Sequence, residues 1–132
     1  MCTRESVNDK RSEVQFKAFV VRLILNGSAE EALEQLAKHY NVNPPRIKVG
    51  LPERHGTNAL GCYTTKNKTI HVLDSDVLKD PFVILHEFYH HLRTSIDTKH
   101  RGTEKYASKF ARDFILEGAT KQKKKGFTYL FL

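Results

Sequence analysis

The sequence predicts an α+β fold: two N-terminal helices, a small antiparallel or mixed sheet of about three strands, a histidine-bearing helix and a C-terminal helix. Three observations carry this. Apolar residues recur at helical spacing between residues 5 and 40. Short β-prone runs separated by turn residues occupy residues 46–73. Helical spacing then returns from residue 81 onward. Helices and strands come in blocks, which sets this chain apart from an alternating βαβ sheet. At 132 residues, with 39% hydrophobic and 10% aromatic side chains, the chain can fill the core of a single domain spanning 1–132. A flexible N-terminus of about residues 1–8 and a basic C-terminal segment of about residues 119–132 flank it.

The first helix is expected over residues 5–26. Val14, Ala18, Val21 and Leu25 define its apolar face, Phe19, Leu23 and Ile24 widen it, and Asn26-Gly27 stops it. Ser28 is the expected N-cap of the second helix, with Glu31 completing a capping box. Ala29, Ala32, Leu33, Leu36 and Ala37 form that helix's stripe, and Pro44-Pro45 end it. "RIKVG" reads as a short strand and "LPERHGTNA" as a loop. "LGCYTT" and "TIHVL" read as two strands joined through "KNK". Asp80 caps a helix from Pro81 to Arg93, with Pro81 at its first position. "TSIDTKHRG" is a loop. The last helix starts near Thr103, carries Tyr106, Ala107, Phe110, Ala111, Phe114 and Ile115, and is expected to end at Gly118. The final "GFTYLFL" is apolar enough to dock back or form a strand.

No apolar run approaches the ~20 residues that span a bilayer, and "MCTRESVNDK" lacks the apolar stretch of a signal peptide. A cytoplasmic protein without a membrane partner is the resulting expectation. Cys2 and Cys62 are the only cysteines and form no CxxC, so two free thiols are expected. The net charge of +7 raises a nucleic-acid reading, yet the Lys and Arg are scattered apart from "KQKKK". No zinc-finger spacing and no Gly-rich phosphate loop accompany them, so a solubilising surface is the favoured account.

His86-Glu87-Phe88-Tyr89-His90 is an HExxH motif. On a helix, residues i and i+4 share a face, so both imidazoles can reach one metal ion. Glu87 lies about 100° around the helix from His86. It is therefore free to act as general base on a metal-bound water rather than as a ligand. Chance alone produces the motif in roughly 2–3% of chains with this many His and Glu. Context adds weight, because "FVILHEFYHHL" is strongly apolar, with Phe82, Leu85, Tyr89 and Leu92 as a core stripe that Val83 and Ile84 broaden. Burying a Glu and two His in such a segment is costly unless they are paired or ligated. His91 turns off the motif's face and reads as a surface or supporting residue.

A catalytic zinc takes three protein ligands and keeps a position for water. The metzincin extension would need Gly at 93 and His at 96, where this chain has Arg93 and Ile96. Two downstream candidates remain, Glu104 and His100. Glu104 opens a helix whose Ala107 and Ala111 share its face, and such small residues permit close packing on the HExxH helix. The ordinary alternative for Glu104 is a carboxylate balancing the helix dipole. His100 sits in the loop between basic residues.

"ILHEFYHHL" followed by "EKYASKFA" resembles the ImmA/IrrE-type zinc metallopeptidases, whose hallmark is HExxH on one helix and Glu-x-x-Ala-x-x-Phe-Ala opening the next. Here the second motif is Glu104 to Ala111, and "GCYTTKNKTIHVL" resembles the strands that precede the active helix in that family. The resemblance covers roughly residues 30–118 and implies a minimal, zincin-like gluzincin core. In it His86, His90 and Glu104 bind Zn2+ and Glu87 is the base. It also implies intracellular cleavage of a protein or peptide substrate such as a transcriptional repressor. Ser108 stands where the family often has Asn, and no helix-turn-helix or sensor domain accompanies the core.

Peptide hydrolysis also needs a donor for the developing oxyanion. His71 and Tyr63 on the expected strands are the candidates, with Tyr106 as a third that doubles as a core residue. An edge strand beside the cleft can pair with an extended substrate. The rival readings are a nucleic-acid-binding regulator using Lys121 to Lys125 around a structural metal site, and a partner-docking module that has lost activity. The intact Glu87 speaks against the latter.

Overall fold

The computed structural model describes residues 5–52, 59–96 and 104–123. In chain order they form α1 (Glu5–Leu25), α2 (Ala29–Tyr40), β1 (Arg46–Val49), β2 (Gly61–Thr64), β3 (Thr69–Val72), a short 3-10 turn (Val77–Lys79), α3 (Pro81–Ile96) and α4 (Glu104–Lys123). This is the α+β arrangement expected, with the sheet of the mixed kind. Cys2, His100 and the "GFTYLFL" stretch lie outside the described residues. α1 already starts at Glu5, inside the stretch expected to be flexible.

α1 ends as Asn26-Gly27 demands. Gly27 adopts φ +90°, and two backbone bonds close the helix: Gly27 N–H to Ile24 O at 3.0 Å and Ser28 N–H to Leu23 O at 2.8 Å. This closure corrects the expected capping box. Only three residues separate the helices, and the backbone of Ser28 is already committed to the end of α1. Its carbonyl still receives Ala32 N–H at 3.0 Å, but its hydroxyl makes no cap bond. α2 ends by the same device without glycine. Asn41 sits in the left-handed region at φ 60°, and Val42 N–H reaches Ala37 O at 2.9 Å. The helix therefore stops before Pro44-Pro45, which do not terminate it.

α2 buries all five of its expected stripe residues. The face of α1 is rotated from expectation, because Val20 and Ile24 enter the core while Phe19 and Leu25 stay 40% exposed. The reason is that α1 has two neighbours. Val20 and Ile24 meet the shared core, and Ala18 meets α4. That second contact overturns the expected end of α4 at Gly118. The helix runs on to Lys123, and Gly118 is buried within it. A Cβ there would lie 3.1 Å from the Cα and N of Ala18 and from the carbonyl carbon of Lys17. Glycine serves here as a helix crossing point rather than a stop.

The sheet order is β1-β3-β2, with β1 parallel and β2 antiparallel to β3. Ile70 and Val72 on the central strand are fully buried. Arg46 N–H and Gly50 N–H bond to Lys68 O and Val72 O, at 3.0 and 2.7 Å, so the even-numbered residues of β3 face β1. Leu73 N–H bonds to Leu60 O at 2.9 Å, so the odd-numbered ones face β2. By antiparallel alternation, Gly61 and Tyr63 then turn their N–H and C=O groups to the free edge of β2.

α3 lies against the sheet face that carries Ile70 and Val72. Asp80 caps it as expected, its carboxylate accepting Phe82 N–H at 3.0 Å and Val83 N–H at 3.4 Å. The helix continues past Arg93 to Ile96, absorbing the start of the expected loop. Its buried stripe also differs. Ile84, Leu85 and Phe88 are fully buried and Val83 and Leu92 nearly so, whereas Phe82 and Tyr89 are only half-buried. Phe88, with Leu33, Leu36 and Phe114, centres one core shared by all four helices and the sheet. Burying each such side chain contributes ~1.5–3 kcal/mol.

Candidate metal centre

The crossing of α3 and α4 brings His86, His90 and Glu104 together. Ala107 and Ala111, both fully buried, let the two helices approach. His86 and His90 sit one turn apart on α3, and Glu104 is the first residue of α4. Nε2 of His86 lies 2.7 Å from one oxygen of the Glu104 carboxylate, in a hydrogen bond. Nε2 of His90 lies 3.2 Å from the other oxygen, in ion-pair range but off the hydrogen-bond line to it. One atom from each residue falls within 4.8 Å of the other two. A tetrahedral ion with bonds near 2.0–2.1 Å holds its donors roughly 3.3 Å apart, so these groups need move by only tenths of an ångström to receive one. The donor set fits: two imidazole nitrogens and a carboxylate are the ligands of a catalytic zinc. Among the described residues this is the one His/Cys/Asp/Glu group so arranged. The Glu104 side chain is 78% exposed, so pairing with two histidines alone would stabilise the fold little.

His86 has a second partner. Its Nδ1 lies 3.4 Å from the Ser108 hydroxyl, one turn along α4 from Glu104. A hydroxyl can accept the Nδ1 proton whenever Nε2 is needed as a lone-pair donor, which fixes the ring and its tautomer.

Glu87 points away from this cluster but stays beside it. It is 8% exposed, and burial, with the Glu104 charge as a lesser cause, pushes its carboxyl up to about 7. Gly61 explains how the sheet comes so near. A Cβ there would fall 2.8 Å from Val83 Cγ1 and 3.6 Å from Glu87 Cγ, so only glycine lets β2 descend onto α3 at this level. Cys62, a free thiol, is raised by its own burial and then by Glu87.

His91 is not a surface residue. It is 1% exposed and spans two contacts, with Nε2 2.7 Å from Asn43 O and Nδ1 2.7 Å from the Tyr63 hydroxyl. A carbonyl can only accept, so Nε2 carries the proton and Nδ1 accepts from Tyr63. Burial lowers the His91 pKa, partly offset by the bond to Asn43. Tyr63, whose own pKa burial raises, thus directs its hydroxyl proton to His91. His71 alternates with the buried Ile70 and Val72 and so projects from the other sheet face, where Nε2 lies 3.3 Å from the Thr64 hydroxyl. Neither strand residue is brought to Glu104 in this arrangement. Tyr106 is not a core residue, being 53% exposed on α4.

Arg93 stands on the same face of α3 as the two histidines, and its buried Nε has no hydrogen-bond partner among the described residues. The signal for it was present in the spacing, because residues 86, 90 and 93 follow i, i+4, i+7. No protein family, no curated protein and no solved structure matches this chain.

Proposed function

We propose that this chain is a zinc-dependent metallopeptidase of the minimal gluzincin kind, as its resemblance to the ImmA/IrrE-type enzymes implies. Its substrate is a protein or peptide, with an intracellular regulator such as a repressor as the first class to test. The observation that carries the reading is the convergence of two imidazole Nε2 atoms on the two oxygens of Glu104, with a buried carboxylate next in sequence. Zn2+ in such a site polarises a carbonyl and lowers the pKa of water to about 7.

The chain's own groups divide the remaining work. His86, His90 and Glu104 hold the ion, and Ser108 steadies the His86 ring. Glu87 receives a proton from the attacking water and delivers it to the leaving amine, since a carboxyl near neutrality can do both. A cation held by Glu104 offsets the repulsion that helps raise Glu87 and readies it as a base. The free edge of β2, through the N–H and C=O of Gly61 and Tyr63, offers an extended peptide backbone a pairing partner beside Glu87.

The test is a metal analysis of the purified chain, expected to give about one zinc per chain, followed by incubation with candidate regulator proteins. Glu87→Gln should keep the metal and lose cleavage. A chain that binds no divalent ion, or a Gln variant that still cleaves, overturns the reading.

A further inference from the structure

The histidine face of α3 does not end at His90. Residues 86, 90 and 93 share it, and side chains on a helix lean toward its N-terminus. Arg93 therefore projects back over the turn that holds His90. Its Nε is shut off from solvent, and nothing among the described residues bonds to it. None of the ion pairs among the described residues includes Arg93, although the Glu104 carboxylate engages this same face of α3. Arginine cannot relieve this by losing its proton, so the buried N–H stays a charged donor awaiting an acceptor.

We propose that Arg93 is a recognition residue for a carboxylate presented by the ligand that enters the histidine face. The guanidinium edge offers Nε–H and one Nη–H in parallel, which matches the two oxygens of a carboxylate. Backbone carbonyls would leave half of that fork unused. The overall charge of +7 also draws acidic segments toward the chain. The carboxylate can belong to an acidic side chain or to a chain terminus, and the two are separable. The inference rests on the peptidase reading only in calling the bearer of the carboxylate a substrate.

The experiment follows the Arg93 Nε–H resonance by 15N–1H NMR in the zinc-loaded full chain, assigned by its loss in Arg93→Lys. Three probes are titrated: N-acetylglycine, N-acetylaspartate carrying a C-terminal methylamide, and N-acetylglycine methylamide. A shift with one or both carboxylates but not with the neutral amide is expected, and the effective probe identifies the source. Arg93→Lys should weaken binding of that probe roughly 10- to 100-fold with zinc content unchanged. No shift with either carboxylate, an equal shift with the amide, or equal affinity in the Lys variant overturns the proposal. Should Arg93→Lys fail to fold, the contrast between carboxylate and amide probes in the unaltered chain decides alone. Binding is read without hydrolysis, so carboxylate recognition by a chain that cleaves nothing would overturn the peptidase reading and leave this one standing.

Discussion

His90 and His91 are neighbours on α3, yet they belong to different chemistries. His90 turns to the Glu104 side, where its Nε2 approaches an exposed carboxylate at 3.2 Å. His91 turns to the sheet side, where both ring nitrogens are taken, by Asn43 O and the Tyr63 hydroxyl, at 2.7 Å each. One face of the helix gathers polar groups whose complement lies partly outside the chain. The other satisfies every polar group within it. The lesson is that a histidine's role follows from whether its nitrogens find partners at home, and a step of one residue on a helix, about 100°, decides that.

The largest effect that can break this contrast is on the Glu104 side. Glu87→Gln is expected to lower peptide cleavage by about 10²–10⁴-fold without loss of zinc, measured by turnover and metal content. The same variant should stabilise the metal-free fold. Glu87 is raised from 4.5 to about 7, so its contribution is fully present below pH 4.5 and lost as pH rises through about 7. Above pH 7 the metal-free Gln variant should exceed the parent by about 2–3 kcal/mol in urea unfolding, with no gain at pH 4. Equal stability at both pH values would show that burial does not perturb Glu87.

Next comes Phe88→Ala against His86→Ala. Phe88 is fully buried in the core, and its truncation should cost about 3–5 kcal/mol by denaturant unfolding. His86→Ala should leave metal-free stability within about 1 kcal/mol and abolish tight zinc binding. If the two variants behaved alike, the two faces would not be separable. A smaller loss of about 2–4 kcal/mol is expected for His91→Ala, which leaves Asn43 O and the Tyr63 hydroxyl without their partner. Tyr63→Phe, which keeps the ring, should lose less. Smallest is Gly118→Ala, at about 1–2 kcal/mol. The added methyl meets backbone atoms of α1 at 3.1 Å, and that crowding outweighs the gain in helix propensity.

Much of this was legible in the chain. HExxH on a capped helix and the Glu104-Ala107-Ala111 face need only helical spacing, and all of these residues stand where that spacing puts them. What could not be read depends on partners distant in sequence. Gly118 looks like a helix stop until Ala18 is seen against it. Ser28 looks like a cap until the closure of α1 claims its backbone. The stripe of α1 is misjudged because a helix with two neighbours carries two faces, and periodicity reports them as one. His91 reads as peripheral because its partners come from residues 43 and 63, far from the motif.

Glu104 is the first residue of α4, and His86 and His90 lie within α3. A terminal helical turn opens and closes far more often than a helix interior. An ion gripped by all three is thus held by two steady ligands and one on a hinge. Its residence time is tied to the fraying of a single helical turn. Anything that lengthens or docks the start of α4 will slow exchange of the ion without touching either histidine.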